Sequence, residues 1–221
     1  MKNIMFKKMS FAMMIVALAL FTGAGVYAAS EDEGLYDPVP PENSAFVRFI
    51  HAQPDLTSEI PPKVNGRERD GIRFGGVKPY SVIAPGKILV ELGPGKKEFD
   101  AEPKGHYTVI LQNNDLRVEK DPEPTSDLKA NIIVYNFTEH DDIIVKTADG
   151  KIPVIGPIPA NTMMNKEVNP IKVSFGVFKG DEEFAKLIDW PLERKQNYII
   201  SIVENDDGGL GTYDRARTSQ E

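Results

Sequence analysis

The 221-residue sequence contains no cysteine, only three histidines and a single tryptophan. Without cysteine the chain cannot form a disulfide, use a thiolate nucleophile, ligate a metal through sulfur or carry the lipid of a lipoprotein. Its stability must therefore come from burial of apolar side chains in one or more hydrophobic cores.

Long hydrophobic runs are also missing. The apolar run Phe11–Phe21 spans eleven residues, which is too short to cross a bilayer. It follows three lysines and precedes the small-residue sequence Val26–Ala28, an order that predicts a secretory signal peptide over residues 1–28. The alternative is an N-terminal anchor that stays uncleaved. We favour cleavage near Ala28 and expect a soluble, exported protein.

Positive charge is scarce in the mature chain. Removing the predicted signal, which holds three lysines and no acidic residue, leaves 23 basic and 33 acidic residues and a net charge of −10. This balance argues against binding to nucleic acid or to an anionic membrane through bulk charge.

The mature sequence is rich in short strand patterns. Alternating apolar and polar residues, separated by glycine and proline turns, predict an all-β fold of two tandem antiparallel β-sandwich (Ig-like) domains. Ser44–Ala52 begins the first sheet. Ile171–Phe178 shows the clearest alternation, with Ile171 and every second residue after it on one face. Asn197–Val203 is apolar on both faces, which predicts a central strand. Residues 181–190 fit a short helix or a turn followed by a strand.

Two similar segments indicate a duplication. Ser44–Asp55 and Asn131–Asp141 each run from apolar and aromatic residues into a polar turn that contains His and Asp. The alignment places Phe49 opposite Tyr135. Further pairs at comparable spacing are Gly66 with Gly150, Ile88 with Ile171, and Tyr107 with Tyr198. We therefore expect two copies of one β-domain.

The composition predicts the limits of these units. Residues 29–43 are a disordered lead-in, 44–118 the first sandwich, and 129–216 the second. The charged, proline-rich residues 119–128 are the linker that separates them, and 217–221 are a frayed tail.

Catalytic and metal-binding motifs are absent from the sequence. It contains neither a G-x-S-x-G elbow nor H-E-x-x-H. His51 and Asp55 could form a dyad, but hydrogen bonds that fix a turn explain them better. Glu139–Asp142 and Asp206–Gly208 lack the ligand spacing of a calcium loop and are interpreted as surface turns. The sequence therefore predicts no catalytic, cofactor or metal site.

Aromatic residues offer a second candidate site. Tyr36, Tyr80, Tyr213 and Trp190 could form a stacking platform for sugars, although packing in a core or an interface explains aromatic residues more often.

Two family resemblances add to this reading. Part of the first domain resembles the repeat of a family of exported β-sandwich domains of unknown function. The matching segments are Ala45–Asp55, Val64–Gly66, Phe74–Tyr80 and Ala84–Leu92. The whole mature chain resembles a narrower family, the alginate biosynthesis protein F family of periplasmic alginate O-acetylation accessory proteins. The matching blocks are Gly34–Tyr36 with Pro38, Ser44–Arg48, Lys146–Lys151, Pro157, Ala160–Asn161 and Glu167–Val173.

The second resemblance implies a function. It suggests a non-catalytic periplasmic adaptor that links a membrane-bound O-acyltransferase to periplasmic lipase-like acetyltransferases, and it implies no cofactor. The alternative is a polysaccharide-binding module, with alginate or cellulose as the polymer and Lys146, Lys151, Lys166 and Lys172 as a basic patch. A third possibility is an acetyl-transferring enzyme that uses His51 or Ser81. The expected partner- or polymer-binding residues are Tyr36, Arg48, Lys146, Asp149, Lys151, Glu167, Asn169 and Lys172.

Overall fold

A computed structural model of the chain describes residues 40–122, 125–205 and 210–214. These residues form sixteen β-strands and no helix. The first eight are β1 (Ala45–His51), β2 (Lys63–Val64), β3 (Arg67–Glu68), β4 (Ser81–Ile83), β5 (Gly86–Leu92), β6 (Gly95–Ala101), β7 (His106–Gln112) and β8 (Asp115–Lys120). The second eight are β9 (Ala130–Asn136), β10 (Ile143–Thr147), β11 (Pro153–Ile158), β12 (Thr162–Val168), β13 (Lys172–Lys179), β14 (Glu182–Pro191), β15 (Asn197–Glu204) and β16 (Leu210–Asp214).

The two halves have the same topology. The first half forms the sheets β3-β2-β5-β6 and β4-β1-β7-β8, and the second forms β11-β10-β13-β14 and β12-β9-β15-β16. Adding eight to each strand number of the first half reproduces the second. The chain is therefore all-β, with two tandem β domains of equivalent strand order.

Most neighbouring strands pair antiparallel, but each half contains one parallel pair. Strand β1 runs parallel to β7, and β9 runs parallel to β15. These four strands occupy the centres of their sheets, so the sequence prediction that Asn197–Val203 is a central strand is confirmed. Parallel neighbours need a long connection between them, and here the intervening strands of the same domain provide it.

Each half has its own hydrophobic core, built from alternate residues of these strands. In β7, Tyr107, Val109 and Leu111 face the core of the first sandwich. In β15, Tyr198 and Ile200 face the core of the second, where Trp190 also lies.

Strand register refines the predicted repeat. Tyr107 pairs with Val47 and Tyr198 pairs with Ile132. Each tyrosine hydroxyl accepts a hydrogen bond of 2.9 Å from the backbone N–H five residues before it, so the two tyrosines are equivalent. Val47 and Ile132, the partners of these tyrosines, are therefore also equivalent. Three residues further along each strand, Tyr135 corresponds to Ile50. The predicted match of Tyr135 with Phe49 is wrong by one residue, and in a strand that shift moves a side chain to the opposite face.

Two other predicted pairs have different outcomes. Gly66 and Gly150 occupy the equivalent β2–β3 and β10–β11 hairpins with φ of 76° and 72°, which confirms their match. Ile88 lies in the first core, whereas Ile171 precedes β13 and is 55% exposed. That pair is not equivalent, and the core-facing residues of β13 begin with the partly buried Val173.

Residues 181–190 form a strand rather than a helix. Strand β14 pairs with β13 along Glu182–Pro191, and the pairing contains two register shifts. Each shift inserts residues into one strand, so side chains that face the same core are no longer two residues apart. Phe184, Leu187 and Trp190 all contact the second core at spacings of three. The irregular pairing therefore explains why the core-facing residues of this strand have the spacing of three that is typical of a helix.

Three further strands differ from the sequence reading. The pattern gave no signal for β12, and β8 extends to Lys120, inside the predicted linker. Strand β11 continues to Ile158 through Pro157, although proline disfavours a strand interior. It lies at the edge of its sheet, where a residue without a backbone donor is tolerated.

The two sandwiches pack directly against each other. A third hydrophobic cluster joins Ile50 and Ile110 of the first half to Ile133, Tyr135 and Ile199 of the second. Strands β1, β7, β9 and β15 are therefore buried on both faces, one in its own core and one at the junction. The two sandwiches are therefore held together by this packing.

Across the described ranges, no helix has the length and apolar character needed to cross a membrane. The predicted signal peptide, most of the lead-in, Tyr36 and the predicted tail lie outside the described residues.

Candidate functional site

A buried polar network lies between the two sandwiches. Arg48 of β1 contacts Asp121, which follows β8, with 2.7 Å between Nη2 and Oδ2, and neither side chain is exposed. Arg48 Nε donates to Thr108 Oγ1 at 2.7 Å, and the same hydroxyl lies 2.7 Å from Asp121 Oδ1. The Tyr135 hydroxyl, from the second sandwich, donates to Asp121 Oδ1 at 3.0 Å. A single carboxylate thus binds groups from both domains.

An aromatic side chain closes this network. The Tyr80 hydroxyl donates to Asp121, and the Arg48 guanidinium carbon lies 4.3 Å from the Tyr80 ring centroid. His106 stacks on Phe46 at 4.5 Å and meets Tyr80 edge-on. The guanidinium is therefore held by an ion pair, a hydroxyl and an aromatic face, although its Nη1 is buried without an acceptor.

Burial shifts the titration of these groups. It raises the pKa of Asp121 to about 6, while the Arg48 charge and the hydrogen bonds from Tyr135 and Arg48 act in the opposite direction. Burial also raises the pKa of Tyr135. It lowers the pKa of His106 to about 4, and the nearby Arg48 charge adds to that effect. At neutral pH the network therefore holds a charged Arg–Asp pair beside a neutral imidazole.

The sequence analysis named two members of this network as candidate binding residues, Arg48 and Tyr80, but did not predict that they lie together. Arg48 was expected to bind a partner or the polymer, but its side chain is fully buried. Asp121 was assigned to the linker and Tyr135 to a repeat position. The available signal was alternation: Arg48 and Ile50 lie on one face of β1, and Thr108 and Ile110 lie on one face of β7. Both faces stay buried, so a charged residue there requires a buried partner.

The three histidines lie in separate environments. His51 is buried, its Nδ1 accepts from the Gln53 backbone N–H at 3.2 Å, and burial lowers its pKa. Asp55 instead accepts from the Gln53 side chain, so the described hydrogen bonds support the turn interpretation over a His–Asp dyad. His140 lies 3.1 Å from Lys179 Nζ and 3.6 Å from Glu204. In the described part of the chain, no three metal-ligating side chains converge.

An apolar groove lies at one end of the second sandwich. Its volume is about 340 Å³, and its walls are Val154, Val168, Val173, Phe175 and Leu192. Two predicted binding residues, Glu167 and Asn169, stand at its rim. Thr125 donates to Glu167 through its hydroxyl at 2.8 Å and through its backbone, and these bonds lower the Glu167 pKa. Lys129 Nζ donates to Asn169 Oδ1 at 2.5 Å.

The predicted binding lysines Lys146, Lys151 and Lys172 do not line this groove. Each of them contacts another side chain of the same protein. Lys146 lies over the Phe178 ring at 4.5 Å. Exposed Lys151 and Lys172 lie 3.5 Å and 2.9 Å from the carboxylates of Asp149 and Asp189. Lys166 is in β12, on the other sheet from Lys146 and Lys172, so the four lysines are not one contiguous patch.

Two aromatic candidates, Trp190 and Tyr80, have described side chains and take part in packing, whereas Tyr36 and the side chain of Tyr213 lie outside the described part of the chain. Trp190 is 1% exposed in the second core, and Tyr80 belongs to the buried network. Among the described residues, these aromatic side chains therefore do not form an exposed stacking platform.

Comparison with known proteins identifies relatives along most of the chain. The family model described as "Alginate O-acetyl transferase AlgF" matches residues 16–199. "Alginate biosynthesis protein AlgF" of Pseudomonas aeruginosa is 28% identical over 196 residues, covering 88% of each chain. The protein of the same name from Pseudomonas putida is 25% identical over 195 residues, covering 85% of this chain and 89% of its own.

Two solved structures are also similar in part. The C-terminal domain of AlgF from P. aeruginosa covers 41% of this chain at 25% identity with a TM-score of 0.38. The N-terminal domain of the same protein covers 37% at 23% identity with a TM-score of 0.33. Because the family model matches more than half of the sequence, the chain belongs to the family described as Alginate O-acetyl transferase AlgF.

Proposed function

We propose that the chain is a non-catalytic periplasmic adaptor of alginate O-acetylation. It would link a membrane-bound O-acyltransferase to periplasmic lipase-like acetyltransferases of the same pathway. The names of its relatives support a role in alginate biosynthesis and acetylation. The adaptor role rests on one structural observation, the buried Arg48–Asp121–Tyr135 network that joins two equivalent sandwiches.

A fixed junction suits an adaptor for a physical reason. Two binding sites on one rigid body hold their partners at a constant distance, and this raises the effective concentration of one partner near the other. Two sandwiches on a flexible linker would hold the partners at a variable distance. A packed, hydrogen-bonded junction therefore favours the transfer of acetyl groups between two enzymes held side by side.

Deletion and reconstitution test this proposal. Loss of the gene should leave polymer synthesis intact and abolish polymer acetylation, measured by NMR of the secreted polymer. The purified mature protein should bind both the acyltransferase and a periplasmic acetyltransferase, and should form a complex containing all three. Failure to bind either enzyme would overturn the adaptor role.

Two variants separate the adaptor from an enzyme. The enzyme alternative names His51 or Ser81, and His51 is fully buried. Ser81→Ala, and His140→Gln at a more exposed histidine, should therefore each restore acetylation in the deletion strain. A loss of acetylation in a variant that folds and still binds both enzymes would instead support catalysis.

Titration with oligomannuronate at low salt tests the polymer-binding alternative. The adaptor proposal predicts that Lys151→Glu and Lys172→Glu leave acetylation unchanged, because each lysine lies beside a carboxylate of this chain. Saturable binding of the sugar that these two changes remove would support a polysaccharide-binding module.

A further inference from the structure

The four sheets have eight edge strands, and β12 is the least protected among those whose side chains are described. Natural edges avoid unwanted pairing by being short, irregular, proline-containing or charged. Strands β3 and β4 have only two and three residues. Strands β11 and β14 contain register shifts, and β11 also contains two prolines. Strands β6 and β8 each carry four charged side chains.

Strand β12 has none of these protections in full. Its seven residues pair with β9 without a register shift, it contains no proline, and its only charged residues are Lys166 and Glu167. Met164 is 36% exposed in the middle of the strand. The outer edge of β12 therefore offers a regular row of backbone donors and acceptors.

The apolar groove lies at the C-terminal end of this edge. Val168 of β12 and Val154 of β11 both line it, so it opens between the two sheets of the second sandwich. Val168 packs against the core of the second sandwich. Because side chains alternate along a strand, Met164 and Lys166 lie on the same face of β12 as Val168. A strand added beside β12 would place alternate side chains next to Met164 and over the groove.

The charge at this edge selects the occupant. Lys166 is exposed, and among the described residues no carboxylate lies within ion-pair distance of it, unlike Lys151 and Lys172. The Glu167 carboxylate points to the opposite face of the strand and accepts from Thr125. A complementary segment would bring apolar side chains to Met164 and the groove, and one carboxylate to Lys166.

We propose that β12 and the adjoining groove form a docking site for an extended segment of a partner protein, which adds as a strand to the sheet β12-β9-β15-β16. The inference rests on the proposed adaptor function and assigns one of its two partner surfaces. Backbone hydrogen bonds would supply affinity, and the apolar and acidic side chains would supply specificity.

A synthetic peptide tests the site on the mature protein. The probe is a nine-residue peptide that alternates valine and threonine and has one central glutamate. Amide NMR shifts and slowed hydrogen exchange should localise to Thr162–Val168. A peptide N-methylated along one edge should not bind, and a peptide with lysine in place of glutamate should bind several-fold more weakly.

Matched variants sharpen this test. Met164→Lys places a charge on the edge and should weaken peptide binding by at least about tenfold. Val82→Lys is the control, because Val82 lies on edge strand β4 with a similar exposure of 44%. This control should bind the peptide as the unmodified protein does.

Four outcomes would overturn the inference. The first is no shift at roughly 1 mM peptide, and the second is a shift confined to another edge. The third is equal binding of the N-methylated peptide, which would mean groove docking without strand addition. The fourth is self-association in sedimentation that Met164→Lys removes, which would make a second copy of the chain the occupant.

Binding to the acetyltransferases separates this inference from the adaptor proposal. If the unmodified protein and Met164→Lys bind both enzymes equally, the adaptor stands and the edge site fails. If neither enzyme binds but the peptide pairs with β12, the edge site stands and the adaptor fails.

Discussion

Arg48 and Asp121 form an ion pair with both side chains fully buried, although 73 residues separate them in sequence. The pair lies where the first sandwich meets the second, because Asp121 also accepts from Tyr135 of β9. One carboxylate therefore links the first strand, the segment between the domains and the second domain. Its removal should affect the junction more than either core.

Replacing Arg48 with methionine should lower the free energy of unfolding by about 3–5 kcal/mol, because it leaves the Asp121 carboxylate buried without its charge partner. Urea denaturation followed by fluorescence measures this loss. The control is Lys87→Met, which breaks the exposed Lys87–Glu98 pair and should cost less than about 1 kcal/mol. Equal losses in the two variants would mean that solvent reaches the Arg48–Asp121 pair.

Asp121 should make stability depend on pH in a distinctive direction. Its folded-state pKa is raised to about 6, so the folded chain binds this proton more tightly than the unfolded chain. The stability that this proton binding adds is complete below the ordinary pKa of aspartate and is lost as the pH rises through 6. Between pH 7 and pH 4.5 the unmodified protein should therefore gain about 2 kcal/mol relative to Asp121→Asn. Urea midpoints at several pH values test this, and a constant difference would contradict it.

His106 should make stability depend on pH in the opposite direction, so that acid destabilises the folded protein. Its folded-state pKa is lowered to about 4, so its contribution is present above its ordinary pKa and is lost as the pH falls. Relative to the unmodified protein, His106→Gln should become more stable by about 1 kcal/mol or more between pH 7 and pH 5. The same titration measures both variants. A His106→Gln difference that does not change with pH would show that the imidazole has the same pKa in the folded and unfolded states.

The junction should make the two sandwiches unfold together. Ile133 faces the junction cluster, whereas its neighbour Ile132 faces the second core. We expect the unmodified protein to show one calorimetric transition. The variant Ile133→Asp places an unpaired carboxylate in the junction, which should loosen it and give two transitions. Ile171→Asp, at a position that is 55% exposed, should keep one transition. Two transitions in the unmodified protein would contradict coupling of the domains.

Local patterns predicted the fold class because alternation and turn residues are properties of single segments. Gly66 and Gly150 could be paired from sequence, since each hairpin needs a positive φ at that position. Strand β14 could not be distinguished from a short helix, because its register shifts depend on pairing with β13. The junction was also missed: Asn197–Val203 is apolar on both faces, but a sequence does not show what covers the second face.

The duplicated hairpins provide a matched pair of glycine substitutions. Gly66 has φ +76° and an added Cβ would meet nothing within 4 Å, so Gly66→Ala should cost about 1–2 kcal/mol from backbone strain alone. Gly150 has φ +72°, but its Cβ would lie 3.2 Å from Phe178 Cζ. Gly150→Ala should therefore cost more than Gly66→Ala, because Phe178 must also move. Urea denaturation of the two variants gives the comparison, and an equal or smaller loss for Gly150→Ala would show that Phe178 moves freely at the second hairpin.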